Sequence, residues 1–116
     1  VGKSNKTGTI VKFLPDDTIF KNCNFSYTTI CERMQESAFL LSGLTIEVID
    51  EEDGHQAKFH YENGLTSFIE YMNEGKNTLH KVINFGNTKS KIEVDVAMQY
   101  TDTYNENILS FVNNVK

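Results

Sequence analysis

Residues 26–64 read SYTTICERMQESAFLLSGLTIEVIDEEDGHQAKFHYENG, and the change of rhythm inside this stretch decides the fold class. Ser26 stands where a helix N-cap belongs, because its hydroxyl can accept one of the unpaired N–H groups of a first turn. Tyr27, Ile30, Cys31, Met34, Ala38 and Leu41 then recur at helical spacing, with Glu32, Arg33 and Glu36 toward the other side. Gly43 supplies the left-handed residue that commonly ends a helix. From Leu44 the period falls to two. Leu44, Ile46 and Val48 alternate with Thr45 and Glu47, which is the pattern of a half-buried strand. Asp53-Gly54 marks a turn, and Lys58 to Tyr61 return as the second arm of a hairpin. Asn63-Gly64 breaks the hairpin and opens a second helix.

Outward toward the start, residues 1–6 read as a polar loop. Thr7 to Leu14 read as a strand, with Thr9, Val11 and Phe13 on one face and Ile10, Lys12 and Leu14 on the other. Pro15-Asp16-Asp17 closes it, since proline lacks the ladder N–H and aspartate favours turns. Outward toward the end, Leu65, Phe68, Ile69 and Met72 form the buried stripe of the second helix, which Gly75 ends. Val82 to Phe85 read as a short strand and Gly86-Asn87-Thr88 as a loop. Ile92, Val94, Val96, Met98 and Tyr100 alternate with Glu93, Asp95, Ala97 and Gln99, a strand with one buried and one wetter face. Asp102 to Asn105 turn the chain, and Ile108 to Val112 read as a last strand without a closing partner. The order is β-α-β-β-α followed by a β-only stretch, an α+β class, with a boundary near residues 75–80. No internal repeat appears.

The 116 residues suit one domain with a modest core. The net charge is −5, with acidic residues gathered at Glu47, Asp50, Glu51, Glu52 and Asp53. A surface that grips nucleic acid by its phosphates carries a basic stripe instead, so this stretch is not expected to be a main DNA-gripping surface. The acidic run reads as a solvated turn. No apolar run approaches the roughly 18 residues of a membrane span, and no leader pattern opens the chain. Val1 in place of Met suggests a start inside a longer protein. Cys23 and Cys31 have neither zinc-knuckle nor disulfide-framework spacing, and a reducing cytoplasm fits them.

Little in the residues is catalytic by itself. His55, His60 and His80 are scattered without metal-ligand spacing, and neither a nucleophile elbow nor a P-loop occurs. The polar-small cluster Lys6-Thr7-Gly8-Thr9 is the one candidate site. Glycine lets a ligand approach the backbone, the Thr9 hydroxyl can donate or accept, and Val11 could floor an apolar pocket. Such a set suits a flat purine ring, though by itself it reads first as a plain strand after a tight turn.

The order of motifs carries more than any one of them. Lys6-Thr7-Gly8-Thr9, Val11-Lys12-Phe13, Pro15-Asp16 and Ile19-Phe20 resemble the end of the ATPase domain in bacterial type II DNA topoisomerases, the gyrase B and topoisomerase IV ParE subunits. Thr29 to Leu40 looks like the following helix of that family, and Phe59-His60-Tyr61-Glu62-Asn63-Gly64-Leu65 like its F-H-Y-E-x-G segment. Val94 to Tyr100 with Asp102, and Glu106 to Asn114, look like the start of its transducer domain. Ser37 to Leu41 and Ser110 to Val115 point toward ParE of the Gram-positive type, with gyrase B as the alternative. An interaction module derived from the same segment is a further alternative.

The resemblance implies the C-terminal part of a GHKL-type ATPase domain over residues 1–77, a mixed sheet with helices on one face. Residues 78–116 would then begin a transducer domain of ribosomal-S5-like fold. It implies ATP with Mg²⁺, a homodimeric gate, a DNA-cleaving partner of ParC or gyrase A type, DNA as substrate of the full enzyme, and a cytoplasmic, chromosome-associated setting without a membrane. Carried over residue by residue, Thr9 matches the threonine of the adenine contact network that aminocoumarin-type inhibitors also use. Val11 matches an apolar pocket residue, and Gly8 permits the approach. The family's catalytic Glu, Mg²⁺-binding Asn, adenine-binding Asp and phosphate lid are expected before Val1, and its transducer Lys after Lys116. Without them, positioning and charge stabilisation both fail, and negligible ATP turnover is expected of this stretch alone.

Overall fold

The computed structural model describes residues 2–116. Six elements follow in order: α1 (Tyr27–Leu40), β1 (Thr45–Ile49), β2 (Gln56–His60), α2 (Leu65–Met72), β3 (Ile83–Lys89) and β4 (Ile92–Met98). The strands form two antiparallel pairs, β1 with β2 and β3 with β4. The α+β class is therefore as expected, and among the described residues each hairpin is a two-stranded sheet of its own.

Helix α1 begins where its cap dictates. The Thr29 N–H donates to Ser26 Oγ at 3.3 Å, and Ser26 keeps an extended backbone. The helix ends with the Leu41 N–H on Ser37 O at 3.0 Å. Gly43 then takes φ +82° and donates its N–H to Tyr61 O at 3.0 Å. That bond ties the end of α1 to the end of the hairpin it packs on.

In β1–β2, Ile46 pairs with Phe59 and Val48 with Ala57. These four are the half-buried positions of their strands, and α1 packs against both strands. The turn is built by Asp50, whose Oδ1 accepts from the Glu52 N–H at 3.0 Å and whose own N–H donates to His55 O at 2.8 Å. Gly54 takes φ +73° there, in keeping with the Asp-Gly pair.

The core sits where α1 meets α2. Ala38, Phe39 and Phe68 are the buried apolar residues. Phe39 stacks on Tyr61 at 3.9 Å, on Phe68 at 5.0 Å, and lies tilted to Tyr71 at 5.5 Å. Gln35 Nε2 donates to the Tyr61 hydroxyl at 2.9 Å, which satisfies the polar end of that ring. Phe111 leans on Phe68 at 6.1 Å and brings the last segment back to the helices. The helical stripe expected from the sequence does not include Phe39. That residue follows Ala38 directly, and its ring meets Tyr61 just after β2 as well as Phe68 and Tyr71 of α2.

Several expected features differ. Thr7 to Leu14 form no strand, and Ile10 and Leu14 are 95% and 92% exposed. A strand exists only against a partner edge, and no described residue offers one here. Gly86-Asn87-Thr88 is not a loop but the middle of β3, paired through Asp95, Val94 and Glu93. The turn lies later, at Ser90 and Lys91, with φ of 52° and 65°. Two consecutive positive φ values match the twist of a two-residue hairpin, and here they are held by residues that are not glycine. Ile108 to Val112 form no strand either. Val112 instead closes on Val115 by two backbone bonds of 2.9 and 3.0 Å, around Asn113 and Asn114 at positive φ.

The radius of gyration is 18.0 Å, against about 13 Å for a compact domain of this length. The excess follows from the unpaired segment before α1 and from the β3–β4 hairpin. Every residue of β3 is exposed, and the buried face expected of Ile92 to Tyr100 is not buried. Ile92, Val94, Met98 and Tyr100 are exposed and only Val96 of that face is half-buried, because the hairpin is a two-stranded pair without a covering layer along most of its length.

Candidate functional site

Gly8, Thr9 and Val11 lie on the extended segment before α1, and all three are exposed. A methyl group added at Gly8 would meet nothing within 4 Å. The described residues thus set the three close together along the chain without building walls around them. The anchors of the segment lie just beyond it. Lys12 Nζ meets Glu51 Oε2 of the β1–β2 turn at 2.6 Å, an exposed pair of small energetic weight. Phe13 packs edge-on against Phe25 at 5.5 Å. Asp16 then turns the chain: its Oδ1 accepts from the Thr18 hydroxyl at 2.7 Å and the Thr18 N–H at 2.9 Å. These bonds, the hydroxyl's first, hold the Asp16 carboxyl below the usual carboxylate range.

The other cluster of polar side chains lies between α2 and β4, away from the Lys6–Thr9 cluster. An open groove of about 550 Å³ runs there, lined in part by Thr66, Glu70, Asn73, His80, Lys81 and Gln99. Asn73 caps α2 through its N–H to Ile69 O at 3.0 Å. Its Nδ2 donates to Gln99 Oε1 at 2.9 Å, and Gln99 Nε2 donates to His80 O at 2.7 Å. Asn84 Nδ2 of β3 donates to Thr66 Oγ1 of α2 at 2.9 Å. Asn77 Nδ2 reaches Asp102 Oδ2 at 2.9 Å next to the Thr78–Thr101 bridge. Amide side chains at polar strand and helix-end positions are the only sequence signal for this seam.

Asp50, Asp53 and His55 also converge, their ligating atoms within 4.8 Å of one another. Asp50 Oδ1 is already engaged by the Glu52 and Asp53 N–H groups of the turn. A histidine ligand also suits Mg²⁺ poorly, so this cluster reads as turn chemistry rather than as the Mg²⁺ site. At the start of α1, a hydrogen bond with Cys31 pushes the Tyr27 phenol above its ordinary value, with burial adding to the effect. Both cysteines are free thiols.

Comparison with known proteins joins these observations. A DNA gyrase B family profile matches residues 64–116. The B subunit of DNA topoisomerase 4 from Bacillus subtilis is 50% identical over 116 residues, all of this chain and 18% of that protein. Over its whole length this chain matches a segment of the B subunits of bacterial type II DNA topoisomerases. Two solved structures of the family superpose on it. The 43K ATPase domain of Thermus thermophilus gyrase B, solved in complex with an aminocoumarin, gives a TM-score of 0.77 at 32% identity, over 87% of this chain and 28% of that one. The B-subunit of DNA gyrase from Myxococcus xanthus gives 0.81 at 28% identity, over 87% and 29%. This chain thus spans under a fifth of its Bacillus relative. No helix among its described residues is long and apolar enough to cross a membrane.

Proposed function

We propose that this chain is part of the ParE subunit of topoisomerase IV, an ATP-driven gate that passes one DNA duplex through another. The observation that carries the reading is the 50% identity along the whole chain to a topoisomerase 4 protein. Residues 1–77 close the ATPase domain and residues 78–116 begin the transducer. Gly8, Thr9 and Val11 line the adenine side of the nucleotide pocket, with walls supplied by other parts of the protein. The Thr9 hydroxyl joins the polar contacts to the purine edge, Val11 packs on its face, and Gly8 leaves room for both. An aminocoumarin competes for the same residues.

ATP bound with Mg²⁺ supplies the phosphoryl chemistry, and the groups that hold the metal lie on other segments of the protein. The residues of this chain bind and orient, and carry the resulting movement through the α2–β4 junction. The partners are a second copy of the same protein and a DNA-cleaving partner of ParC type, in a cytoplasmic enzyme acting on the chromosome.

The test is reconstitution of the intact ATPase subunit with its DNA-cleaving partner. ATP-dependent decatenation and relaxation without negative supercoiling supports the reading. Negative supercoiling would make it gyrase B, and failure to couple ATP to any duplex passage would overturn it.

A further inference from the structure

We propose that His80 is a positioning residue, its neutral imidazole standing in for a backbone carbonyl to close the bulge at the base of the β3–β4 hairpin, beside the end of α2. The proposal rests on the reading of the chain as an ATP-driven gate only for its functional consequence.

The pairing between the two chain segments changes register at this point. Thr78 pairs with Thr101, while Ile83 pairs with Met98. Leu79 to Val82 therefore face only Gln99 and Tyr100. Such a bulge leaves ladder groups without backbone partners. The Tyr100 carbonyl still accepts from the Leu79 N–H at 3.0 Å. The Tyr100 N–H turns to a side chain instead and donates to His80 Nε2 at 3.1 Å.

This contact fixes the proton on the ring. A backbone N–H can only donate, so Nε2 must accept and carry no hydrogen. The other nitrogen, Nδ1, lies 2.6 Å from the Lys81 carbonyl, which can only accept. The neutral tautomer protonated at Nδ1 satisfies both bonds, and neither of the other protonation forms does. The Tyr100 ring stands edge-on to the imidazole at 5.6 Å and holds its plane. The His80 backbone carbonyl, next to the ring, accepts from Gln99, and Gln99 in turn accepts from Asn73, the C-cap of α2. A chain of polar groups thus joins the helix end to the backbone just after β4. Lys81 and Glu70 are the charged groups lining the adjoining groove.

A junction of this kind makes hairpin and helix move together. Removing the imidazole leaves the nucleotide segment at Gly8–Val11 and the Asn73–Gln99 bond in place and loosens the base of the β3–β4 hairpin against the end of α2. The experiment uses the intact ATPase subunit with its DNA-cleaving partner, in wild-type form and as His80→Ala and His80→Gln. In the wild type, ¹⁵N-histidine spectra are expected to show His80 protonated at Nδ1. In His80→Ala, loss of one hydrogen bond is expected to speed exchange of the Tyr100 amide about tenfold. The number of duplexes passed per ATP falls by a similar factor, while ATP affinity stays within about twofold. His80→Gln, whose side-chain oxygen can accept the Tyr100 N–H, restores both.

An Nε2-protonated ring, or Tyr100 exchange unchanged in His80→Ala, overturns the proposal. So does unchanged passage per ATP alongside faster exchange. If His80→Ala does not fold, the wild-type tautomer and the His80→Gln variant decide. If the wild-type protein turns over no ATP, the gate reading fails, and the tautomer and Tyr100 exchange still decide the seam.

Discussion

Phe39 lies flat against Tyr61, ring centroids 3.9 Å apart and planes 22° from parallel. This contact joins the end of α1 to the residue after β2, and Phe39 meets two further aromatic rings of α2. With so few buried residues, much of the stability of this region rests on one side chain. Phe39→Ala is expected to cost about 3–5 kcal/mol, the transfer loss plus the cavity left behind. Thermal unfolding of the intact subunit, with the ATPase-region transition followed separately, measures it. A shift no larger than that of an exposed control such as Lys21→Ala contradicts the assignment of the core.

Gly64 has φ +49° and ψ −117°, a backbone region hostile to any residue with a Cβ. A Cβ there would collide with Ser42 Oγ and come within 3.3 Å of Phe39 O. Gly64→Ala is expected to destabilise by about 1–3 kcal/mol. Gly8→Ala, with open space around it, is expected to leave stability nearly unchanged while weakening nucleotide binding. The two variants in the same unfolding assay, with nucleotide affinity measured alongside, separate a glycine kept for its backbone from one kept for a ligand. Equal stability losses in both would contradict that division.

The Asp16 carboxyl is held below its ordinary range by Thr18. The sign follows from linkage: a carboxyl more acidic in the folded chain favours folding above the ordinary carboxylate range. That contribution is lost as pH falls through the folded value. In Thr18→Val the hydroxyl bond disappears and the backbone bond remains, so Asp16 is expected to titrate closer to the ordinary range. Carboxyl ¹³C titration by NMR reads this directly, and an unmoved titration contradicts the role of the hydroxyl.

How much is legible in the sequence depends on where each element finds its partners. Ser26, Gly43, Asp53-Gly54 and Gly75 act within a few residues, and each does in the structure what its local chemistry dictates. The alternation of Ile46 and Val48 is equally readable, because α1 packs on that strand. Thr7–Leu14 and Ile108–Val112 have strand composition, yet pairing is a property of two segments, and composition names only one. The Ser90–Lys91 turn escapes a sequence reading because neither residue advertises positive φ, and the nearby Gly86 suggests a turn in the wrong place. Gly86 instead lets β4 approach, with Val94 O 3.1 Å from where a Cβ would stand. Thr9 and Val11 stand out through resemblance to a family, not through a pattern in the residues. The Asn73–Gln99–His80 seam joins positions far apart in the chain and leaves no periodic trace.

The chain by itself is expected to turn over no ATP. Among the described residues, none of the polar clusters above combines a base, a metal ligand set and phosphate donors. A turnover assay on residues 1–116, run together with the intact subunit, checks this, and comparable rates would refute it.

If Gly8, Thr9 and Val11 face the adenine of a bound nucleotide, removing the Thr9 hydroxyl must weaken binding. ATP affinity of the intact subunit, measured by calorimetry for wild type and Thr9→Ala with Lys21→Ala as control, tests this most directly. Loss of one hydrogen bond is expected to weaken binding by about three- to tenfold in Thr9→Ala, with the control unchanged. Equal affinity in all three proteins would contradict the adenine-facing role.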